Sequence, residues 1–159
     1  MAIRKLLASV GICLAISAFV IVLVGCGGGP AQSAAPPSVL SLNQPAAVDD
    51  PNLSARVWVE DFHCALGQCM FLVHYAAAGS AVVSADTWRA FADGQQMEHK
   101  YLPDGGPRPA LPAITIATGQ TVAGWIYFVS PPSVTLVELD LLAFGTGGTL
   151  ASWEMAATQ

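Results

Sequence analysis

Short runs of alternating apolar and polar residues fill the chain from Arg56 to the C-terminus, with turn signals between them. No stretch of ten or more of these residues follows the 3.6-residue period of an amphipathic helix, whereas half-buried strands alternate with a period of two. Asp93-Gly94 between two such runs is a strong signal for a β-hairpin. The pattern therefore predicts an all-β fold.

Eight segments show this strand pattern. They are residues 56–62, 70–75, 87–92, 95–101, 113–117, 121–129, 134–142 and 149–155. Seven to eight strands with closely spaced turns, in about 100 residues, are typical of an antiparallel β-sandwich. Segment 121–129 is apolar on both faces, as a central strand would be, and Gly124 within it indicates a bulge or a close backbone approach.

The N-terminus has the features of an export signal. Arg4 and Lys5 precede an almost unbroken apolar run over residues 6–24, and Gly25-Cys26 follows it. A basic start, an apolar core and small residues before a cleavage site are typical of a secretory signal peptide. We therefore assign residues 1–25 to a signal peptide, which sends the rest of the chain out of the cytoplasm.

The end of this signal resembles the bacterial lipobox. The residues Leu23-Val24-Gly25-Cys26 imply cleavage before the cysteine, so that Cys26 becomes a diacylglyceryl cysteine, with palmitate as an example of such acyl chains. Two acyl chains hold a protein stably on a membrane where one does not. The expected location is the extracytoplasmic face of the cell membrane. The alternative is an uncleaved transmembrane helix, because the twenty residues from 6 to 25 would span about 30 Å.

Residues 26–54 are predicted to form a flexible tether that starts at the lipidated Cys26. Gly, Pro, Ala and Ser dominate this stretch, which cannot bury enough apolar surface to offset the entropy of ordering. Val39, Leu40 and Leu42 are the exceptions and are compatible with a short edge strand. The expected organisation is thus a signal peptide, a tether and one domain over residues 55–159.

The mature chain is acidic. Removal of residues 1–25 takes away two of the six basic residues and none of the eleven acidic ones, which leaves a formal charge of −7. Such a charge argues against a nucleic-acid partner. The membrane partner is therefore expected through the lipid at Cys26 and not through basic side chains.

Two cysteines remain for the domain after Cys13 leaves with the signal and Cys26 takes the lipid. An even pair in an oxidising compartment predicts a disulfide between Cys64 and Cys69, across a hairpin loop. The alternative is a copper or zinc site, since imidazole, thiolate and thioether are suitable ligands for these metals. That site would use the segment His63, Cys64, Cys69, Met70 and His74.

The order of features over residues 55–156 resembles the immunoglobulin-like domain of many bacterial lipoproteins. The most specific piece is Gly119-Gln-Thr-Val-Ala-Gly-Trp-Ile-Tyr-Phe128, followed by Pro131-Pro132. That family is largely of unknown function and is similar to a small secreted mycobacterial immunoprotective antigen. The resemblance implies an immunoglobulin-like antiparallel β-sandwich after a disordered tether. It carries no catalytic residues and no cofactor.

The sequence also lacks the common catalytic motifs, such as Gly-x-Ser-x-Gly, Ser-x-x-Lys and His-Glu-x-x-His. We therefore expect a non-enzymatic binding module of the cell envelope, without a cofactor, whose partner is a protein or a glycan. Two surfaces are candidates. Any of Trp58, Trp88, Trp125 and Trp153 that share an exposed sheet face would form a recognition patch. The other candidate is the irregular loop over residues 102–113.

Overall fold

The computed structural model describes residues 38–101 and 107–157. In these ranges the chain forms eleven β-strands and a single turn of 3-10 helix, Ala85–Thr87. The strands are β1 (Val39–Leu40), β2 (Ala46–Asp50), β3 (Leu53–Ala65), β4 (Gln68–Val83), β5 (Trp88–Ala92), β6 (Gln95–Gln96), β7 (Glu98–Lys100), β8 (Ile114–Ile116), β9 (Thr121–Val129), β10 (Leu136–Leu142) and β11 (Thr149–Ala156). Within the same ranges, no helix is long and apolar enough to cross a membrane.

The strands form two sheets. The smaller sheet has the order β1-β11-β10-β5-β6, and the larger sheet has the order β2-β3-β4-β9-β7 with β8 paired to β4. Neighbouring strands are antiparallel except β1, which runs parallel to β11. The long β4 pairs with β3 on one side and with β9 and β8 on the other, so it lies in the middle of the larger sheet.

Alternation along the strands places the core between the sheets. Trp153 is 0% exposed and Trp88 is 3% exposed, and their rings pack 5.7 Å apart. The Trp88 indole donates a 2.8 Å hydrogen bond to the hydroxyl of Tyr75, whose pKa is raised by burial. These large rings fill the space that two sheets leave between them, and their polar atoms are satisfied there.

The predicted fold class, an immunoglobulin-like β-sandwich, is confirmed. The strand number is eleven in the described ranges instead of seven to eight. One reason is that the predicted strand 95–101 is divided into β6 and β7, at the buried residue Met97. The other reason is that β1 and β2 lie before the predicted domain.

The folded part of the chain starts earlier than the tether assignment of residues 26–54 suggests. Val39 and Leu40 form the short edge strand that the sequence allowed, and β2 pairs with β3 over Ala46–Asp50. Alanine and aspartate have low strand propensity, so β2 is hard to recognise in the sequence. Its pairing with β3 and the burial of Ala46 and Val48 stabilise it instead.

Gly124 marks a close backbone approach, one of the two predicted alternatives. A Cβ atom at this position would lie 2.4 Å from the Cα atom of Leu111. The segment 109–111 runs along the edge of β9, where the Trp125 N–H donates to the Pro109 carbonyl (2.9 Å) and the Leu111 N–H donates to the Trp125 carbonyl (3.0 Å). Only a glycine leaves room for this segment.

Candidate binding surface

Cys64 and Cys69 are joined in a disulfide at the end of the β3–β4 hairpin. They are directly opposed in the antiparallel register, with Cα atoms 4.1 Å apart. The turn between them carries Leu66 and Gly67, both with positive φ. Closing so short a loop stabilises the hairpin end by roughly 2 kcal/mol through chain entropy.

The residues of the metal hypothesis are divided between the two sides of the sheet. Both sulfur atoms belong to the disulfide, and Cys69 is fully buried on the core side of the sheet. The register places His63, Met70 and His74 on the opposite, outer side. The His74 imidazole lies against the carboxylate of Glu60. Among the described residues, no group of three or more His, Cys, Asp or Glu side chains is arranged to hold a metal ion.

The outer side of the larger sheet carries large aromatic and apolar side chains. We call this surface the open face. Its central residues are Trp58, Met70, Leu72, His74, Trp125 and Tyr127. Trp58 lies opposite His74, and Trp125 lies opposite Leu72, so β4 separates the two tryptophans. Both indoles are half-buried, in contrast to the buried Trp88 and Trp153.

The outer side of the smaller sheet carries polar side chains around Phe91, and several of them bond to one another. We call it the closed face. Arg89 donates to the carboxylate of Asp140 (3.2 Å), and the Thr149 hydroxyl lies 3.5 Å from the same carboxylate oxygen. The hydroxyl of Ser152 donates to Glu138 (3.2 Å). Arg89 also lies over the ring of Phe91, with its Cζ atom 5.2 Å from the centroid.

Trp58 is held in position by its neighbours on the open face. Its ring stacks on that of His74, with centroids 4.9 Å apart and planes inclined by 13°. Glu60 pairs with the same imidazole. Glu60 is available for this contact because it is the extra residue of a β-bulge, where Val59 pairs with Val73 and Asp61 pairs with Leu72.

A groove lies beside Trp58. It has a volume of about 410 Å³ and is lined by Asn43, Pro45, Arg56, Trp58 and Ala76. Arg56 lies directly opposite Ala76 in the register, so the short alanine side chain leaves space next to the indole. The groove thus combines one aromatic ring with one cationic and one amide side chain.

The rim of this groove is fixed by long-range hydrogen bonds. The Asn43 N–H donates to the Val59 carbonyl (2.8 Å), and the indole of the buried Trp153 donates to the Gln44 carbonyl (2.9 Å). Asn43 has a φ of +65°, which asparagine tolerates better than most residues. The segment between β1 and β2 is therefore tied to both sheets.

A second concavity lies at the edge of β9. It has a volume of about 200 Å³, and its lining includes Ser84, Asp86, His99 and Trp125. The Ser84 hydroxyl lies 3.4 Å from Asp86, and His99 Nδ1 lies 3.9 Å from the other oxygen of that carboxylate. Burial lowers the pKa of His99. In this group the carboxylate lies between the hydroxyl and the imidazole. The order differs from that of a serine–histidine–aspartate triad, in which the histidine lies between the serine and the carboxylate.

The remaining predicted features lie partly outside the described residues. The signal peptide, the lipidation site Cys26 and the first part of the tether precede residue 38, and residues 102–106 of the predicted binding loop also lie outside. The later part of that loop is described, and its segment 109–111 is bonded along β9. This segment thus serves as a structural neighbour of Trp125.

The architecture defines the molecule as a β-sandwich of the immunoglobulin-like type, and its likeness to solved structures agrees. No family model and no curated protein matches the chain. It is similar to MPT63, a secreted protein of Mycobacterium tuberculosis, with a TM-score of 0.59, 22% identity, and coverage of 77% of this chain and 100% of MPT63.

The chain is also similar to a predicted lipoprotein of Bacillus subtilis (ycdA). The TM-score is 0.55 with 15% identity, and 73% of this chain is covered. The match spans 38% of the length of the Bacillus protein. At these identities both likenesses concern the fold alone. They confirm the structural resemblance that the turn pattern around Gly119–Phe128 indicated.

Proposed function

We propose that this chain is a lipid-anchored, non-enzymatic binding module on the extracytoplasmic face of a bacterial cell membrane, and that it binds its partner with the open face. The observation that carries this proposal is the difference in burial among the four tryptophans. Trp88 and Trp153 fill the core, whereas Trp58 and Trp125 remain half-exposed on one sheet face.

Exposed aromatic groups on a single surface are typical of recognition sites. Aromatic side chains contribute most of the binding energy in many interfaces and are enriched there relative to the rest of the surface. On the open face they extend across three adjacent strands, β3, β4 and β9. A sheet surface of this kind is rigid, so a partner would not have to order it on binding.

The location is inferred from the sequence and agrees with the descriptions of the two structural neighbours. The lipobox-like residues up to Cys26 supply the anchor, and two acyl chains are sufficient for stable attachment. One structural neighbour is a secreted protein and the other is a predicted lipoprotein. Both descriptions are compatible with a location outside the cytoplasm.

The anchor is tested by the intact mass of the full chain extracted from membranes without reductant. We expect a mass that begins at Cys26, includes a diacylglyceryl group and lacks the two hydrogens of the Cys64–Cys69 disulfide. A mass that begins at Met1 would contradict the lipid anchor and favour a transmembrane segment.

The binding face is tested by photo-crosslinking in the native host. A benzophenone amino acid replaces Asp61 on the open face or Glu154 on the closed face; both residues are exposed acidic positions in strands. We expect cross-linked products from position 61 that depend on Trp58 and Trp125, and none from position 154. Equal yields from both positions, or no product from position 61, would contradict the proposal.

A further inference from the structure

We propose that the groove beside Trp58 binds a saccharide that carries a carboxylate group, such as a uronic acid unit. This inference rests on the proposed function, because it names the ligand class for one part of the open face. The groove volume of about 410 Å³ lies within the range of small-ligand sites, which is roughly 300–1,000 Å³. Its lining is mixed in polarity.

Trp58 provides a flat surface for a sugar ring. Pyranose rings expose C–H groups on their faces, and these groups pack against the electron-rich face of an indole. The indole of Trp58 already has a fixed orientation, because it stacks on His74 and the latter pairs with Glu60. A ligand would therefore meet a preformed aromatic platform.

Arg56 provides the charge for a carboxylate. Within the described residues, no acidic side chain lies within 4.0 Å of Arg56, whereas Arg89 pairs with Asp140 and Lys100 pairs with Glu98. A planar guanidinium binds a carboxylate through two parallel hydrogen bonds. The chain has eleven acidic residues, yet none of the described ones pairs with Arg56. A basic side chain that lines a groove without an acidic partner is suited to an anionic ligand.

Asn43 and Ala76 complete the groove. The amide of Asn43 offers both a donor and an acceptor, which suits the hydroxyl groups of a sugar. Ala76 keeps the floor low between Arg56 and the strand β9. The rim is fixed by the hydrogen bonds of residues 43 and 44, so little conformational entropy would be lost on binding.

The strand pairing argues against a peptide as the ligand. Arg56 and Trp58 lie on β3, which is paired with β4 on one side. On the other side β2 pairs with β3 as far as Val57, and the Val59 carbonyl accepts a hydrogen bond from the Asn43 N–H. At Arg56 the groove floor therefore has no free strand edge, and beside Trp58 the Val59 carbonyl is already bonded to the groove's own rim, which leaves an extended peptide little edge to which it could add. A shallow groove with one ring also offers no deep pocket for an apolar peptide anchor.

The test uses the full chain in micelles of lauryldimethylamine oxide, a detergent without a sugar head group. The probes are cellobiouronic acid and cellobiose, which differ by one carboxylate. Binding is followed by the NMR signal of the Trp58 indole N–H. We expect that signal to shift and the affinity for the acid to be about tenfold higher, the size of one charge-assisted contact.

Two variants locate the carboxylate contact. Arg56→Gln should remove the preference for the acid, so that cellobiouronic acid binds about as tightly as cellobiose. Arg108→Gln is the matched control, since it removes the same charge from another exposed arginine, and it should preserve the preference. Equal effects of both variants, or equal affinity of the wild type for both sugars, would overturn the inference.

A third probe, tetraglutamate, separates a saccharide site from an acidic-peptide site. Tighter binding of this peptide than of cellobiouronic acid would overturn the inference in favour of a peptide ligand. If neither sugar binds while crosslinking from position 61 persists, the saccharide inference fails and the proposed function stands. If crosslinking is absent and Arg56-dependent sugar binding is present, the saccharide site stands without the wider binding face.

Discussion

The two outer faces of this sandwich differ in the contacts that their side chains make. On the closed face, polar side chains bond to one another, as in the group Arg89, Asp140 and Thr149. On the open face, aromatic rings remain partly exposed and only Trp58 and His74 stack together. The sheets share a core and one chain, so this difference does not follow from the fold.

The contrast separates residues that stabilise from residues that are available to a ligand. A buried charge such as Asp140, 4% exposed, is tolerated only with partners, and Arg89 and Thr149 bond to one of its two carboxylate oxygens. An exposed indole contributes less to folding than a buried one and remains free to contact a second molecule. Substitutions on the closed face should therefore change stability, and those on the open face should change binding.

The largest effect is expected from Asp140→Asn on the closed face. The change removes the charge that pairs with Arg89 while the shape is kept, so a partly buried guanidinium loses its counterion. We expect the free energy of unfolding to fall by about 2–3 kcal/mol. Urea unfolding followed by tryptophan fluorescence measures this change.

The control for this prediction is Glu154→Gln, an exposed carboxylate of β11 on the same face. It should change the free energy of unfolding by less than about 0.5 kcal/mol. A similar loss in both variants would show that the general charge of the face, and not the Arg89 pair, stabilises it. Crosslinking from position 61 should be unchanged in both.

The strands of this sandwich could be predicted from the sequence more fully than the exposure of its tryptophans. Strands such as β9 have the predicted bounds, Thr121–Val129, because alternation and flanking turns are local signals. Which tryptophans are exposed is not a local signal. Trp58 lies between Val57 and Val59, so both sides of that strand are apolar and the pattern alone cannot say which side faces the core.

The groove next to Trp58 could not be predicted from the sequence, for a further reason. Its rim depends on a hydrogen bond from the indole of Trp153 to the carbonyl of Gln44, which are 109 residues apart. It also depends on β2, whose alanines and aspartates give little strand signal. Only the pairing of β2 with β3 places Asn43 and Pro45 beside Arg56.

A smaller loss of stability is expected from Ser152→Ala on the closed face. Ser152 is 3% exposed and donates its hydroxyl hydrogen bond to the carboxylate of Glu138. Because Glu138 is exposed and regains water when the serine is removed, we expect a loss of about 1 kcal/mol in the free energy of unfolding. Combining Ser152→Ala with Glu138→Gln in a double-mutant cycle isolates the pair. An additive cycle would contradict the role of this bond.

A still smaller effect on stability is expected from Trp58→Phe on the open face. The variant keeps a ring that can stack on His74, and the lost area is half-exposed already. We expect a change of about 0.5 kcal/mol or less in the free energy of unfolding. Sugar binding should weaken several-fold in the same variant, because the phenyl platform is smaller. A stability loss as large as that of Asp140→Asn would contradict the view that the open face contributes less to stability than the closed face.

The last and smallest effect concerns acid stability at the end of the closed face. Hydrogen bonds from the Thr135 hydroxyl (2.5 Å), the Leu136 N–H (2.9 Å) and the Thr135 N–H (3.2 Å) lower the pKa of Asp93 in the folded state. A carboxyl group with a lowered folded pKa stabilises the fold above its unfolded pKa of about 3.9, and this contribution is lost as the pH falls through the folded value.

Asp93→Asn should therefore flatten the acid limb of the stability curve. Asparagine also adopts the left-handed conformation of this residue, φ +47°, before Gly94, so the hairpin is kept. We expect the urea midpoint of the variant to fall less than that of the wild type between pH 5 and pH 3, whereas Asp49→Asn, at an exposed position of β2, should follow the wild type. Parallel curves for Asp93→Asn and wild type would mean that the Asp93 carboxylate does not tie the β5–β6 hairpin to β10. The closed face would then be stabilised by its central side chains alone.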